Sequence, residues 1–325
     1  MSAVVPVPLR FMIGARTLLT LRPRLVRVAL TLREAREGQP AALPRLPADA
    51  QGYLLTSLPE AQIAAMRSEG MLALVRQRYT RSFVDLSAGF DHWFSGLSGN
   101  TRQGLKRKAK RLAAASGGAL DIRRFRSPDE LAAFHPVARA LSARTYQERL
   151  LGAGLPEDLA MLQQRAACDA VRAWLLYLRA RPIAYLCCTA VGDTLLYSHV
   201  GHDPDAAALS PGAVLQLEAL RDLFEDRFSW FDFTEGEGQH KRQMASGGIA
   251  CVDLLLLRPR LANRLLLTAL GGFDASIAFA KRAVRWVGVE AMARGLRRGA
   301  RAPAAAPAGS PQSNGTRSTR AAERP

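Results

Sequence analysis

Cysteine, aromatic residues and long apolar runs are scarce in this 325-residue chain. Its four cysteines show no paired spacing, and adjacent Cys187 and Cys188 in a strand would point to opposite faces, so the pattern suggests neither a disulfide nor a metal site. Aromatic residues make up only 7%, and no zinc-finger or RNA-binding signature occurs, so nucleic-acid binding has little support. The lack of about 18 consecutive apolar residues argues against a transmembrane helix.

Acidic residues are also in the minority, with 28 against 45 lysines and arginines and a formal net charge of +17. The excess lies in residues 1–37, 102–111 and 258–301. Anionic partners are therefore expected, and an anionic membrane surface is the favoured one. Apolar and basic residues alternate irregularly in both terminal segments, which predicts basic amphipathic helices at a membrane interface. Packing of their apolar faces on the core is the alternative.

The segment 166–258 has the patterns of a mixed sheet. Two hairpins are expected from three successive strands, at 172–180, 183–191 and 194–201. A helix at 213–227 follows, with Ser210 as its N-cap and Pro211 at its first position. Further strands are expected at 230–234 and 249–257. A helix between two strands implies a parallel crossover, so the sheet should contain both orientations.

A cluster of titratable residues follows the strand at 230–234, in the sequence WFDFTEGEGQHKRQ. Because charged groups are costly to bury, such a cluster usually lies where a sheet opens into a cleft. Glu235, Glu237 and His240 are therefore candidate bases, and Lys241 is a candidate contact for an anionic part of a substrate. A polar loop that merely caps the strand is the alternative.

Three segments together resemble the GNAT superfamily of acyltransferases: GLSGNTRQGLKRKAKRL (96–112), LSPGAVLQLEAL (209–220) and FDFTEGEGQHKRQ (231–243). The similarity is greater to the branch related to Fem-type transferases and to acetyltransferase-like proteins of cellulose and exopolysaccharide synthesis. It spans roughly residues 53 to 258. It implies an α/β fold in which a GNAT-like mixed sheet is flanked by helices, with an acyl-CoA core at 166–258 and a second, degenerate GNAT-like half at 51–165.

The remaining boundaries come from composition. Residues 1–50 are expected to be a basic segment that ends in a Pro-rich linker, and 259–300 a basic amphipathic helix. Residues 301–325, rich in Ala, Pro, Gly, Ser and Arg, are expected to be a disordered tail.

The resemblance implies that acyl-CoA is the co-substrate, that no metal is needed, and that the thioester lies where strands 194–201 and 230–234 splay apart. The free amides at the start of the intervening helix suit a pyrophosphate, and an ordinary capped helix start is equally compatible. The usual pyrophosphate loop, Gln/Arg-x-x-Gly-x-Gly/Ala, is kept only in part by SPGA, so the acyl donor stays open. The candidate donor-binding residues are Ser210, Gly212, Ala213 and Val214.

The chemistry of acyl transfer requires a base and an acid, because an amine must lose a proton and a thiolate must gain one. Glu235 is the favoured base because it lies nearest the strand end. Tyr197 or Tyr185 could protonate the thiolate, and His199 could face the cleft or serve as a structural hydrogen-bond partner. Arg102 and Lys106, on one face of a predicted basic helix, are candidate phosphate contacts; a solvated face is the alternative.

The favoured function is a cytoplasmic N-acyltransferase, peripheral at the inner membrane face, that acts on an amine of a membrane-associated envelope precursor. A lipid long-chain base, as in a ceramide-synthase-like reaction, is the leading acceptor. The alternatives are an acetyltransferase for amino sugars of a surface polysaccharide and a non-catalytic GNAT-like binding or scaffold module. A tRNA donor also stays open, because the Fem-type relatives use aminoacyl-tRNA.

Overall fold

The computed structural model describes residues 4–13, 16–67, 70–145, 154–236 and 238–286. The strands in this part of the chain are β1 Val4–Pro6, β2 Leu9–Ile13, β3 Arg16–Leu21, β4 Arg24–Ala29, β5 Gly52–Pro59, β6 Leu72–Asp85, β7 Asp121–Phe125, β8 Val171–Leu178, β9 Arg181–Val191, β10 Thr194–His202, β11 Trp230–Asp232 and β12 Gly247–Leu257. The helices are α1 Leu32–Glu37, α2 Ile63–Arg67, α3 Phe90–Gly96, α4 Gly99–Ala115, α5 Pro128–Ser142, α6 Leu159–Ala167, α7 Pro211–Leu223, α8 Gln239–Met244 and α9 Leu261–Trp286.

Within the described residues, ten strands form one mixed sheet in the order β1-β4-β5-β12-β6-β11-β10-β9-β8-β7, and β2 and β3 form a separate hairpin. Helices flank this sheet, which confirms the predicted α/β class. Strands β8, β9 and β10 are antiparallel neighbours, and β11 runs parallel to β10 after the crossover through α7. The mixed sheet predicted from the strand and helix pattern is therefore confirmed, with ends that differ by a few residues.

Two hydrophobic cores lie on opposite faces of this part of the sheet. Helices α4 and α7 pack on one face, where Cys188 and Leu195 are buried. Helices α5 and α6 pack on the other face, where Cys187 is buried. The adjacent cysteines thus point in opposite directions, as a strand requires. Alternation along β9 and β10 therefore fixes which side chains face each core.

The N-terminal segment forms strands, so the predicted N-terminal amphipathic helix is wrong. Strand β4 pairs in parallel with β5 and buries Leu25 and Val26. Pro6, Pro8 and Pro23 interrupt any continuous helix in this stretch because proline lacks an N–H and its ring clashes with the preceding turn. Leu25 and Val26 are adjacent and therefore point to opposite faces of the sheet, where each packs in a different core, whereas Arg24 and Arg27 are exposed.

At the other end, the predicted basic helix is present as α9, described to Trp286. The predicted tail at 301–325 lies outside the described residues. Strands β5, β6 and β7 belong to the same sheet as β8 to β12, so the two predicted halves share one sheet. Their origin as two GNAT-like copies stays a prediction. None of the helices in the described ranges has the length and apolar character that spanning a membrane requires.

Candidate functional site

Strands β10 and β11 diverge after a short paired stretch. Thr194 to Leu196 pair with Trp230 to Asp232, and there β11 ends, whereas β10 continues to His202. A bulge between Leu196 and His199 bends β10 at this point. Thr234 and Gly236 adopt positive φ angles of 61° and 88°, which turn the chain away from the sheet. The two strands therefore pair over only three residues, as strands that splay apart would, and Glu235 lies directly beyond the last pair.

Aromatic rings fill the α7 side of this gap. The Tyr197 ring lies 5.8 and 5.7 Å from the Phe231 and Phe233 rings, and both phenylalanines are fully buried. The Tyr197 hydroxyl donates to Gln216 Oε1 at 3.4 Å, and burial raises the pKa of Tyr197. Gln216 Nε2 is buried and has no hydrogen-bond partner among the described residues. A buried amide donor without an acceptor is costly and fits a carbonyl group of a bound ligand.

The start of α7 differs from the predicted capped helix. Ser210 occupies the N-cap position with a left-handed backbone (φ 54°), and within the described residues its side chain caps no amide. Its carbonyl oxygen instead accepts from the amides of Ala213 and Val214, at 3.2 and 3.3 Å. A Cβ on Gly212 would lie 3.7 Å from His202 Nδ1, so this imidazole lies beside the helix start. Pyrophosphate binding here stays a prediction.

A cavity of about 780 Å³ opens on the sheet face opposite α7. Its position follows from alternation along β10, because Leu195 enters the α7 core whereas Thr194 and Leu196 line the cavity. The outer wall of the cavity is formed by residues 29–33, at the end of β4 and after it. Ser57, Thr234 and Glu235 lie at the polar end of the cavity. The cavity therefore adjoins the point where β10 and β11 separate.

Local interactions hold the outer wall in place. Thr31 caps α1: its backbone amide donates to the Glu34 carboxylate at 2.6 Å, and its hydroxyl accepts from the Glu34 amide at 3.2 Å. On the same helix, the Arg36 guanidinium carbon lies 3.4 Å from the centre of the Trp230 ring. These contacts fix the 29–33 segment near Trp230, the first residue of β11.

A buried ion pair forms the floor of the cavity. Arg81 and Asp232 are 6% and 0% exposed at their side chains, and Arg81 Nη2 donates to Asp232 Oδ2 at 2.5 Å. Arg81 Nη1 also donates to the Leu30 carbonyl oxygen at 2.7 Å, and Asp232 Oδ1 accepts from the Thr234 amide at 2.8 Å. One guanidinium thus joins β6, the outer wall and the turn that carries Glu235.

A second polar cluster lies behind Ser57. The Tyr79 hydroxyl accepts from the Ser57 amide at 3.0 Å and donates to Asp253 Oδ1 at 3.1 Å. Burial raises the pKa of Asp253, and the negative charge of Glu235 raises it further. Burial also raises the pKa of Tyr79. Asp253 and Glu235 are therefore close enough to interact, with Arg27 near Asp253 and Lys241 at the Glu235 carbonyl oxygen.

The structure brings Glu235 and Lys241 together, as predicted for one site. Lys241 Nζ donates to the Glu235 carbonyl oxygen at 2.7 Å, and burial lowers the pKa of Lys241 against the opposing effect of Asp232 and Glu235. Glu235 itself is exposed. Glu237 lies outside the described residues, and His240 is in α8 with a side chain that is likewise outside them.

His199 lies on the cavity side of the sheet, because it pairs in register with Cys187 of that face. Burial lowers its pKa, which favours the neutral imidazole. The alternative acid Tyr185 is 1% exposed in the core of the same face. His199 has the Gly154 backbone as a hydrogen-bond partner, in line with the structural role, whereas Tyr185 is enclosed by protein.

Arg102 and Lys106 line a different depression of about 410 Å³, beside Phe94 and Asp91. Arg102 Nη1 donates to the Ser95 carbonyl oxygen at 2.8 Å, and Lys106 Nζ lies 5.6 Å from the centre of the Phe94 ring. The lining of this depression shares no residue with that of the larger cavity. Within the described ranges, no three or more histidine, cysteine or carboxylate side chains are grouped to hold a metal ion.

Sequence patterns missed Arg81, Tyr79 and Asp253. A single charged residue within an otherwise apolar strand was the available signal, as for Asp253 in IACVDLLLL and Asp232 in WFDF. Such residues are rarely buried unless they are paired, so each one marks either a partner in another strand or a site.

Comparison with known proteins gives one family match. Residues 99–242, which include β10, α7, β11 and Glu235, match the family model of the acetyltransferase (GNAT) domain. No curated protein matches the chain.

Similar solved structures have low sequence identity to this chain. They include the C-terminal domain (DUF2156) assigned to a lysylphosphatidylglycerol synthetase from Agrobacterium fabrum, with 11% identity, 69% of this chain and 73% of that chain covered, and a TM-score of 0.49. FemX has 10% identity, coverages of 81% and 90%, and a TM-score of 0.47. L-PGS from Bacillus licheniformis has 13% identity, coverages of 66% and 71%, and a TM-score of 0.44.

Proposed function

We propose that this protein transfers an acyl group from acyl-CoA to an amine. Residues 99–242 match the GNAT acetyltransferase domain, which makes the chain an acyltransferase. The acceptor amine belongs to a membrane-associated envelope precursor, with a lipid long-chain base as the leading candidate. The observation that supports this most is the separation of β10 and β11 directly beside Glu235. In this proposal the thioester reaches the carboxylate at that separation once the rings that close its α7 side shift.

In the proposed reaction, the neutral amine nitrogen attacks the carbonyl carbon of the thioester. The C–N bond forms, the C–S bond breaks, the nitrogen loses a proton to Glu235 directly or through water, and the thiolate gains a proton to leave as the CoA thiol. Tyr197 is the candidate for supplying that proton because its ring lies beside Phe231 and Phe233 at the gap between β10 and β11. Lys241, at the Glu235 carbonyl, is suited to an anionic part of the substrate.

The donor is supported by two features of α7. The unpaired Gln216 Nε2 is a buried donor beside the gap and suits an amide carbonyl of the pantetheine arm. The helix start at Gly212 has partial positive charge that suits the pyrophosphate. The rings of Tyr197, Phe231 and Phe233 close the α7 side, so binding requires them to shift or to line the arm.

A membrane-facing surface is supported by the outer stripe of α9. Leu261, Leu265 and Phe279 are 75%, 64% and 75% exposed. At about 100° per residue, these positions fall within about 40° of one another around the helix. The opposite side of α9 buries Leu270, and Phe273 packs against Phe11 of β2 with ring centres 5.2 Å apart. The helix is thus apolar on two sides, one of which is uncovered.

The β2–β3 hairpin also carries exposed leucines. Leu19 pairs with Phe11 and Leu21 with Leu9, so both leucines share the face that contacts α9, and they are 51% and 36% exposed. Together with Leu261, Leu265 and Phe279 they form what we term the hairpin–helix surface. Exposed arginines occur in or next to the same elements, including Arg10, Arg22 and Arg264. Exposed aliphatic groups with basic neighbours suit an anionic membrane, so we place the enzyme at the inner membrane face.

Kinetics of the full chain test the proposed reaction. With acyl-CoA and a long-chain base as substrates, Glu235→Gln should lower the rate of CoA thiol release by roughly 10²–10⁴-fold, because the base is lost. Glu225→Gln, an exposed carboxylate beyond the end of α7, is the matched control and should keep the wild-type rate. Full activity in Glu235→Gln, in Glu237→Gln and in the double variant would exclude both carboxylates as bases.

A further inference from the structure

The cavity on the face opposite α7 is distinct from the gap that would hold the donor, and it meets that gap at Leu196 and Glu235. Its volume, about 780 Å³, lies within the range of about 300–1,000 Å³ that is usual for small-molecule sites. An acceptor bound there would approach a thioester in the gap from the other side of the sheet. Position and size therefore fit the second substrate.

The wall of the cavity has an aliphatic part, beside which Thr31, Arg33, Asp193 and Thr194 also line it. Ala29, Leu30 and Leu32 line it on the outer side, and Val191 and Leu196 line it on the side of the sheet. Hydroxyl groups of an amino sugar that met the aliphatic part of the wall would lose water without gaining a partner, which costs free energy for each such group. A hydrocarbon chain gains free energy from the same wall because it leaves water.

The polar end of the cavity has the opposite character. Glu235 lies on the rim, and Asp253 stands behind Ser57, held by the Tyr79 hydroxyl at 3.1 Å. The positive charge of Arg81 on the floor is neutralised by Asp232, with Nη2 and Oδ2 2.5 Å apart. Glu235 therefore offers a carboxylate on the rim, whereas the guanidinium on the floor is already paired with Asp232, and this arrangement suits a cationic group.

We propose that this cavity is the acceptor site and that its occupant is a primary amine at the end of a linear apolar chain. The chain lies along the aliphatic wall, and the ammonium group binds at the end formed by Glu235 and Asp253. Asp253 acts as a positioning residue, because it adds negative charge through its place behind Ser57. This assignment rests on the proposed acyl transfer and specifies its substrate class.

A series of acceptors tests the assignment in the full chain. We expect kcat/KM for n-alkylamines to rise by roughly threefold or more for every two added methylene groups until the wall is covered. Glucosamine should be a poor acceptor. Ala29→Trp, which fills the cavity from an exposed position, should lower kcat/KM for dodecylamine by roughly tenfold or more and leave CoA binding unchanged. Ala132→Trp, at an exposed position of α5, is the size-matched control.

The charged end of the cavity is tested with dodecanol, a ligand that has the alkyl chain but lacks the amine. Asp253→Asn should raise the KM for dodecylamine several-fold, whereas inhibition by dodecanol should stay as in the wild type. A general structural defect would weaken both ligands. Equal effects on amine and alcohol would therefore overturn the role of Asp253.

The outcomes separate this proposal from the proposed function. If amines are acylated but neither the length of the alkyl chain nor Ala29→Trp changes kcat/KM, the cavity assignment is wrong and the proposed acyl transfer is still supported. If no amine is acylated, the proposed function is wrong, and calorimetry with dodecylamine alone still decides on the cavity. Loss of dodecylamine binding in Ala29→Trp supports the cavity as the binding site, and unchanged dodecylamine binding in this variant overturns it.

Discussion

At the residue scale, the Arg81–Asp232 pair connects the cavity floor to the turn that carries Glu235. We expect Asp232→Asn to lower the free energy of unfolding by about 3–5 kcal/mol, because it leaves a buried guanidinium without its counter-charge. The double variant Arg81→Met/Asp232→Leu should be less destabilised, since no unpaired charge remains. Urea denaturation of the three proteins measures both differences.

The exposed pair between Arg24 and Asp49 supplies the matched control. Its atoms are as close, at 2.6 Å, but the side chains are 59% and 55% exposed, so Asp49→Asn should change the free energy of unfolding by no more than about 1 kcal/mol. A similar loss in Asp49→Asn and Asp232→Asn would mean that burial does not determine the importance of the inner pair.

Residues of the site were predictable from sequence only where they are neighbours in the chain. Glu235 and Lys241 lie six positions apart and meet as expected. Arg81 meets Asp232 across 151 positions, and Tyr79 meets Asp253 across 174. Alternation indicates the face on which a strand residue lies, but it does not indicate which strand becomes the neighbour. The second polar cluster therefore required the sheet order.

At the element scale, the close approach of β5 to β12 depends on glycine. A Cβ on Gly52 would lie 2.0 Å from the Leu256 carbonyl oxygen and 2.8 Å from Leu257 Cα. We expect Gly52→Ala to lower the free energy of unfolding by roughly 1–3 kcal/mol, because the two strands must separate. The unfolding transition in urea would detect this change.

The same substitution at Gly104 should have the opposite sign. This residue lies inside α4, and among the described residues no heavy atom other than those of its chain neighbours and its own helix backbone lies within 4 Å of the position of an added Cβ. Gly104→Ala should raise the free energy of unfolding by roughly 0.5–1 kcal/mol because it reduces the freedom of the unfolded chain. Destabilisation of similar size in both variants would contradict the account of the β5–β12 contact.

Elements with strong local patterns were predictable, and those defined by distant contacts were not. The hairpins of β8 to β10 and helix α7 follow from alternation, turns and apolar spacing within the segment. The N-terminal strands were mistaken for a helix because residues 16–29 mix leucine and arginine in a way that suits either structure. What decides between them is parallel pairing of β4 with β5, a contact that the local pattern does not contain.

At the scale of the whole molecule, the cavity combines segments that are far apart in sequence. Its outer wall, at 29–33, comes from the segment that the sequence assigned to the membrane, and its other walls come from β5, β6, β10 and the turn after β11. The cleft beside β10 was predictable from the family resemblance. The additional wall was not, because it depends on how the N-terminal strands join the sheet.

Membrane association is a property of the assembled hairpin–helix surface. We expect the full chain to co-sediment with vesicles that contain phosphatidylglycerol and to bind phosphatidylcholine vesicles less well. The variant with Leu261, Leu265 and Phe279 changed to serine should bind the vesicles at least about tenfold more weakly, because the apolar stripe is removed. Met161→Ser, 42% exposed on α6, is the control and should bind like the wild type. Absence of vesicle binding at low salt would contradict a membrane role.

The claim on which the account depends is that the opening between β10 and β11 receives the thioester. Hydrogen exchange of the full chain, measured with and without a thioether analogue of acyl-CoA, tests this claim most directly. We predict slower exchange of backbone amides at 197–202, 211–216 and 230–236 when the analogue is bound. Unchanged exchange in these segments, or protection confined to α4 around Arg102 and Lys106, would contradict it.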